Sequence, residues 1–97
     1  MNDHVYRIRD EIAWRKMKDG TVTIVSPLVE KIISINATAG IIWELLDGKH
    51  TIAAVVDALY EKFSADGIDR GTLERDTHEI LRDLIDRRLV EQIVDRS

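Results

Sequence analysis

The sequence predicts an α+β fold, a three-stranded antiparallel sheet followed by three α-helices. Two observations carry that prediction. Up to Ile35 the apolar residues are largely β-branched and alternate with polar ones between turn signals. From Asn36 onward they recur at i, i+3, i+4 and i+7 behind residues that cap helices. A chain of 97 residues makes one domain, spanning 1–97, with a modest core.

Val5–Arg9 alternates with a period near two, and Ile12–Lys18 does so again before Asp19-Gly20, a hairpin-turn pair. Thr21–Val25 is strongly β-prone. Ser26-Pro27 ends it, because proline cannot donate to a ladder, and Val29–Ile35 resumes as the third strand of the sheet. Along that strand Ile33 and Ile35 point to one face, Ile32 and Ser34 to the other. Asn36 then caps a helix over Ala37–Leu46, with Gly48 as its stop. Ile41, Ile42, Leu45 and Leu46 share one face and Trp43 adds apolar area on another, so this helix is expected to be buried nearly all round. Thr51 caps a second helix whose stripe is Ile52, Val55, Val56, Leu59, Tyr60 and Phe63. Ser64–Gly71 reads as a loop. A third helix runs from Thr72 to Arg88 on Leu73, Thr77, Ile80, Leu81, Leu84 and Ile85. Leu89-Val90 and Ile93-Val94 form a short extra strand or a packed tail.

Composition narrows the function. The net charge of −4 lacks the basic footprint of a DNA-binding protein. The absence of cysteine removes disulfides, thiol catalysis and Cys-based metal sites. No apolar run approaches the ~20 residues of a membrane helix, and the N-terminal MNDHVYRIRDE has no signal-peptide core. A cytoplasmic protein with no membrane contact is expected. No GxSxG, Walker-type or GxGxxG pattern occurs, and His4, His50 and His78 are too scattered for a metal site. Neither catalysis nor a cofactor is expected. Asp76, Glu79, Asp83 and Asp86 line the third helix but interleave with Arg75, Arg82, Arg87 and Arg88, as in ordinary helix-surface pairing. The cluster Arg7, Arg9, Arg15, Lys16 and Lys18, interleaved with Tyr6 and Trp14, is the best candidate for phosphate contact. A solvated sheet face with cations blunting an edge is the stronger reading.

What remains is the strand Glu30–Ile35. If strand order follows the chain, it lies at an edge of the sheet. Such an edge is either open to an incoming peptide strand or covered by the C-terminal segment or a second copy. Spacing alone leaves the two level.

Pro27, the run ISINATAGIIWELLDGKHTIAAVVDALYEKF over Ile33–Phe63 and the closing LRDLIDRRLVE over Leu81–Glu91 bear on that choice. With these the chain resembles the PqqD family, small proteins of pyrroloquinoline quinone (PQQ) biosynthesis and their relatives, over residues 20–91. Each element is a helix cap or a core residue, and the ordered combination is what is specific. The resemblance implies a winged-helix-like domain that is a non-catalytic recognition element for ribosomally made, post-translationally modified peptides. It would bind the leader of a precursor peptide and present it to a modifying enzyme, often a radical S-adenosylmethionine enzyme. The leader adds beside the third strand and packs on the third helix, which favours the open edge. Carried onto this sequence, the edge is Glu30, Lys31, Ile32, Ile33, Ser34 and Ile35, and the floor is Ile33, Ile35, Ile80 and Leu84. The wall is one flank of the third helix, either Asp76, Asp83 and Arg87 or His78, Leu81 and Ile85. Mixed charge would suit charged leader residues, which favours Asp76, Asp83 and Arg87.

Two departures stand out. The glycine that usually precedes the family's terminal Leu-Val is here Arg88, and Ser64–Gly71 is long for the family. They point away from the quinone-pathway protein itself and toward a relative serving another peptide. The alternative is a winged-helix nucleic-acid-binding or protein–protein adaptor in transcription, with helices two and three as its helix-turn-helix. The carboxylates of the third helix disfavour nucleic acid as a partner. A homodimer paired through strand edges is a third arrangement.

Overall fold

The computed structural model describes residues 3–27 and 29–93, with backbone alone at 29–31. The elements are β1 (Val5–Ile8), β2 (Ala13–Lys16), β3 (Val22–Ser26), β4 (Val29–Ile35), α1 (Ala37–Leu45), β5 (Asp47–Thr51), α2 (Ile52–Phe63), α3 (Arg70–Asp86) and β6 (Val90–Ile93). A short 3-10 turn, Ser64–Asp66, links α2 to α3.

The expected three-stranded antiparallel sheet is present, in the order β2-β3-β4. The expected third strand is therefore β4, and it lies at the edge. The β2–β3 hairpin closes at Asp19-Gly20. Met17 N donates to Thr21 O at 2.8 Å, Gly20 N donates to Met17 O at 3.0 Å, and Gly20 takes a φ of +92°. The inner face of this sheet is Val22, Ile24, Ser26 and Ile33, all buried. α1 lies on that face. A Cβ added at Gly40 would meet Gly20 O at 2.9 Å and Val22 Cγ2 at 3.0 Å, so the helix backbone approaches the hairpin as closely as glycine permits.

The sequence reading understated the strands in one respect. A second three-stranded antiparallel sheet has the order β5-β1-β6. Asp47–Thr51, expected as a helix stop and a loop carrying His50, pairs with β1 through Val5↔Thr51 and Arg7↔Asp47. The residues DGKHT have little β propensity; what sets this strand is the chain crossing from α1 to α2 past β1, together with its own turn chemistry. The Asp47 carboxylate accepts from Lys49 N at 2.9 Å and His50 N at 3.2 Å. The tail resolves as a strand, with Val5↔Ile93 and Ile8↔Val90 in register. Val94 lies outside the described residues.

Asn36 caps α1 by accepting from Ala39 N at 2.8 Å, and Thr51 caps α2 by accepting from Ala54 N at 3.1 Å. α3 begins two residues earlier than expected, because Asp69 caps it through Gly71 N at 2.7 Å. Its interior contacts are Leu73, Thr77, Leu81 and Leu84. The buried side of α1 is Ala39, Gly40, Ile42 and Trp43, whereas Ile41 and Leu45 are half-buried. Trp43 is fully enclosed and meets the half-exposed Trp14 edge-on, with ring centroids 6.0 Å apart. Such a pair adds about 0.5–1.5 kcal/mol beyond the buried area.

Candidate peptide-binding site

Hydrogen-bond alternation decides which main-chain groups of β4 face outward. In an antiparallel ladder, opposed residues alternately exchange both bonds or none. Met17 N donates to Thr21 O, so the bonded pairs of the first ladder are this one, Arg15/Thr23 and Ala13/Val25. Val22 and Ile24 therefore turn their main-chain groups toward β4, where they oppose Ile35 and Ile33. It follows that the N–H and C=O groups of Ile32 and Ser34 point away from the sheet, at its edge. Among the described residues no strand pairs with that edge.

Side chains alternate in step. Ile33 is only 9% exposed and Ile35 half-buried, while Ile32 is 70% exposed and Ser34 is exposed. A strand added here would place the residues opposite Ile32 and Ser34 on the outer face. The residues opposite Ile33 and Ile35 would point inward, toward the helical layer. Glu30 and Lys31 contribute backbone to β4, and their side chains lie outside the described residues.

The two flanks of α3 have different surroundings. Tyr6 of β1, Leu81, Ile85, His78, Arg75 and Arg82 line a concavity of about 1030 Å³, which Asp3, Glu79 and Asp86 also border. The other flank carries Ile80, half-buried against the core, with Asp76, Asp83 and Arg87 exposed. Leu84 is buried between the flanks. Arg87 Nε donates to Asp83 Oδ1 at 3.1 Å and lies 3.1 Å from Oδ2, closing an i, i+4 ion pair on that wall. None of Asp76, Ile80, Asp83, Leu84 and Arg87 borders the concavity. Tyr6 is buried, whereas the sequence suggested a solvated sheet face for the cluster it interleaves. Its signal was the alternation of Val5–Arg9, which puts Tyr6 and Ile8 on one face.

The basic cluster is largely engaged in ion pairs. Arg7 reaches Glu91 at 2.6 Å and Asp10 at 3.2 Å, Arg9 reaches Glu11 at 2.7 Å, and Lys16 reaches Glu44 at 3.6 Å. The hydrogen bonds that Arg7 donates to Glu91 and Arg9 to Glu11 raise both arginines above the usual guanidinium value. Among the described residues no group of three or more His, Asp or Glu converges as metal ligands do. Nor is any helix long and apolar enough to cross a membrane.

Comparison with known proteins gives a consistent picture. The family model for Coenzyme PQQ synthesis protein D (PqqD) matches residues 20–90. A PqqA binding protein of Methylococcus capsulatus is 35% identical over 65 residues, which are 67% of this chain and 64% of that protein's length. The solved structure of TbiB1 in complex with the TbiA(beta) leader peptide superposes with a TM-score of 0.77 at 28% identity, covering 92% of this chain and 99% of that one. The heterocyclase TruD contains the same fold, with a TM-score of 0.66 at 14% identity over 97% of this chain and 12% of its own.

Proposed function

The chain belongs to the PqqD family, and from that membership we propose that it is a non-catalytic peptide-binding protein. It captures the leader of a ribosomally made precursor peptide by strand addition and presents it to a modifying enzyme, such as a radical S-adenosylmethionine enzyme, in the cytoplasm where such precursors are made. The observation that carries this reading is the outward-facing main chain of Ile32 and Ser34 on the unpaired edge of β4. The likeness to TbiB1, solved with a leader peptide, supports it, and so does the relative named for binding PqqA. Strand addition draws affinity from main-chain bonds and specificity from alternate side chains.

Glu30 to Ile35 would supply the edge. Ile33, Ile35, Ile80 and Leu84 would supply the apolar floor. Asp76, Asp83 and Arg87 would form the wall that reads charge, since the opposite flank of α3 is turned to the concavity beside Tyr6.

The test compares two prolines. Ser34→Pro removes an outward donor and leaves the β3–β4 ladder intact, whereas Ile33→Pro removes a donor the ladder uses. With synthetic PqqA, the TbiA(beta) leader and the leader of any short peptide encoded beside this gene, titration calorimetry should find one that binds. Ser34→Pro should weaken it at least about tenfold, the loss of a main-chain bond plus the bulk of the ring, with helical circular dichroism unchanged. Ile33→Pro should lower stability itself. Undiminished binding by Ser34→Pro would exclude strand addition at β4.

A further inference from the structure

The β2-β3-β4 sheet has a second open edge, and its chemistry differs from that of β4. β2 bounds the sheet on the far side, and all of its residues, Ala13–Lys16, are exposed. Its bonds to β3 are made at Ala13, Arg15 and the adjoining Met17, so the N–H and C=O groups of Trp14 and Lys16 point outward. Among the described residues no strand pairs with them. We propose that this edge, independently of what β4 holds, binds an acidic, extended segment of a partner protein by strand addition.

Charge selects the occupant. Arg15, Lys16 and Lys18 fall within four consecutive residues, a density of lysine and arginine found nowhere else in the chain, whose net charge is −4. Neighbouring carboxylates leave most of that charge open. Glu44 of α1 reaches Lys16 at 3.6 Å. Asp19 is turned into its own hairpin, where Oδ1 accepts from Thr21 N at 3.0 Å and from Thr21 Oγ1 at 2.7 Å. Among the described residues neither Arg15 nor Lys18 has a carboxylate within ion-pair distance. Cations on an edge strand keep like edges apart. The same charge favours a strand that sets carboxylates opposite it.

Side chains set the pattern of that strand. Trp14 shares the inner face with Ile24 and Ile33, half-exposed and held edge-on by the enclosed Trp43. Arg15 lies on the outer face. A segment alternating apolar and acidic residues therefore lays its apolar side chains beside Trp14 and its carboxylates beside Arg15. At the hairpin end Arg15, Lys16, Met17, Lys18, Asp19 and Thr21 border a concavity of about 480 Å³, with room for a further acidic side chain. A leader strand on β4 and a partner strand on β2 would lie about 19 Å apart, four inter-strand spacings across one sheet, so both fit at once.

The probe is a short synthetic peptide alternating valine and glutamate, titrated into the full chain beside its valine–lysine counterpart. Trp43 is enclosed, so a change in tryptophan fluorescence reports on Trp14. The glutamate peptide should give a saturable change and the lysine peptide none. Arg15→Glu, at an exposed position, should weaken binding at least about tenfold, the worth of a bond to a charged group. Lys16→Pro removes an outward donor and none that β3 uses, and should weaken it as much. A leader bound at β4 should leave the titration unchanged, as should Ser34→Pro. No saturable change, equal binding of the lysine peptide, full binding by Arg15→Glu, or displacement by the leader would each overturn the proposal. So would saturable binding of a short DNA duplex in preference to the peptide, which would make the cations a phosphate site. Failure of every leader to bind, with the glutamate peptide still bound, would overturn the leader-capture reading and leave the β2 site standing.

Discussion

Arg88 stands where the family's glycine was expected, and it takes the glycine's conformation. Its φ is +59°, the sole positive φ among the described non-glycine residues. Arg88 N donates to Ile85 O at 2.9 Å and Leu89 N to Leu84 O at 3.0 Å. These are the two bonds of a Schellman motif, and Leu84 and Leu89, at the two positions whose apolar side chains accompany it, are both buried. The left-handed region costs a side-chain-bearing residue about 1–2 kcal/mol, against about 0.5–1 kcal/mol for the extra backbone freedom of glycine. Arg88→Gly should therefore stabilise by a few tenths to about 1 kcal/mol, read as a higher urea midpoint at unchanged slope. Asp47 gives a second prediction at this scale. Its carboxylate lies 3.0 Å from His50 Nδ1 and accepts from the N–H groups of Lys49 and His50, and the His50 bond first among these holds its pKa down at about 2. A lowered carboxylate pKa stabilises the fold above the unfolded value and ceases to do so as pH falls through the folded one. Asp47→Ala should be less stable than the natural chain at neutral pH. The gap should hold down to the ordinary carboxyl value of 3.8 and close toward about 2, as denaturation at a series of pH values would record.

Among elements, β4 makes the sharpest claim. Its alternation predicts that the amides of Ile32 and Ser34 exchange freely in the unbound monomer, while those of Ile33 and Ile35 are protected by β3. Leader binding should slow Ile32 and Ser34 and change Ile33 and Ile35 little, which residue-resolved hydrogen exchange can follow. Slowing at all four positions equally would mean general stiffening rather than an added strand. The strand itself, its edge position and its facing were legible, because β-branched alternation and the Ser26-Pro27 break are local signals. β5 was not, since DGKHT reads as a turn and becomes a strand only through β1. The Schellman end of α3 was equally hidden, because Arg88 gives no sign of a left-handed residue. The flank assignment on α3 rests on a half-legible pattern. The wheel separates Asp76, Asp83 and Arg87 from His78, Leu81 and Ile85, but what each flank meets depends on Tyr6, far away in sequence.

On the scale of the molecule, the described fold is a slab of 40 × 39 × 18 Å, thick enough for one layer of strands and one of helices. A ligand that binds only the folded slab stabilises all of it. At a hundredfold excess over its dissociation constant the leader should add about 2.7 kcal/mol. For a domain this size that raises the melting temperature by roughly 10 °C or more, and Ser34→Pro should cut that shift to about half or less at the same leader concentration, as a scanning calorimeter would record. The helices and the β2-β3-β4 sheet were readable from sequence because each is built from neighbours. The second sheet was not, because β1 finds its partners at Thr51 and Ile93. That separation also orders events in time. β1 leaves the ribosome first yet has both its neighbours only after Ile93 has emerged, whereas β2, β3 and β4 pair with one another as soon as they appear. At about 5–20 residues per second, the β4 edge stands finished for several seconds on a nascent chain whose first strand is still waiting for its last.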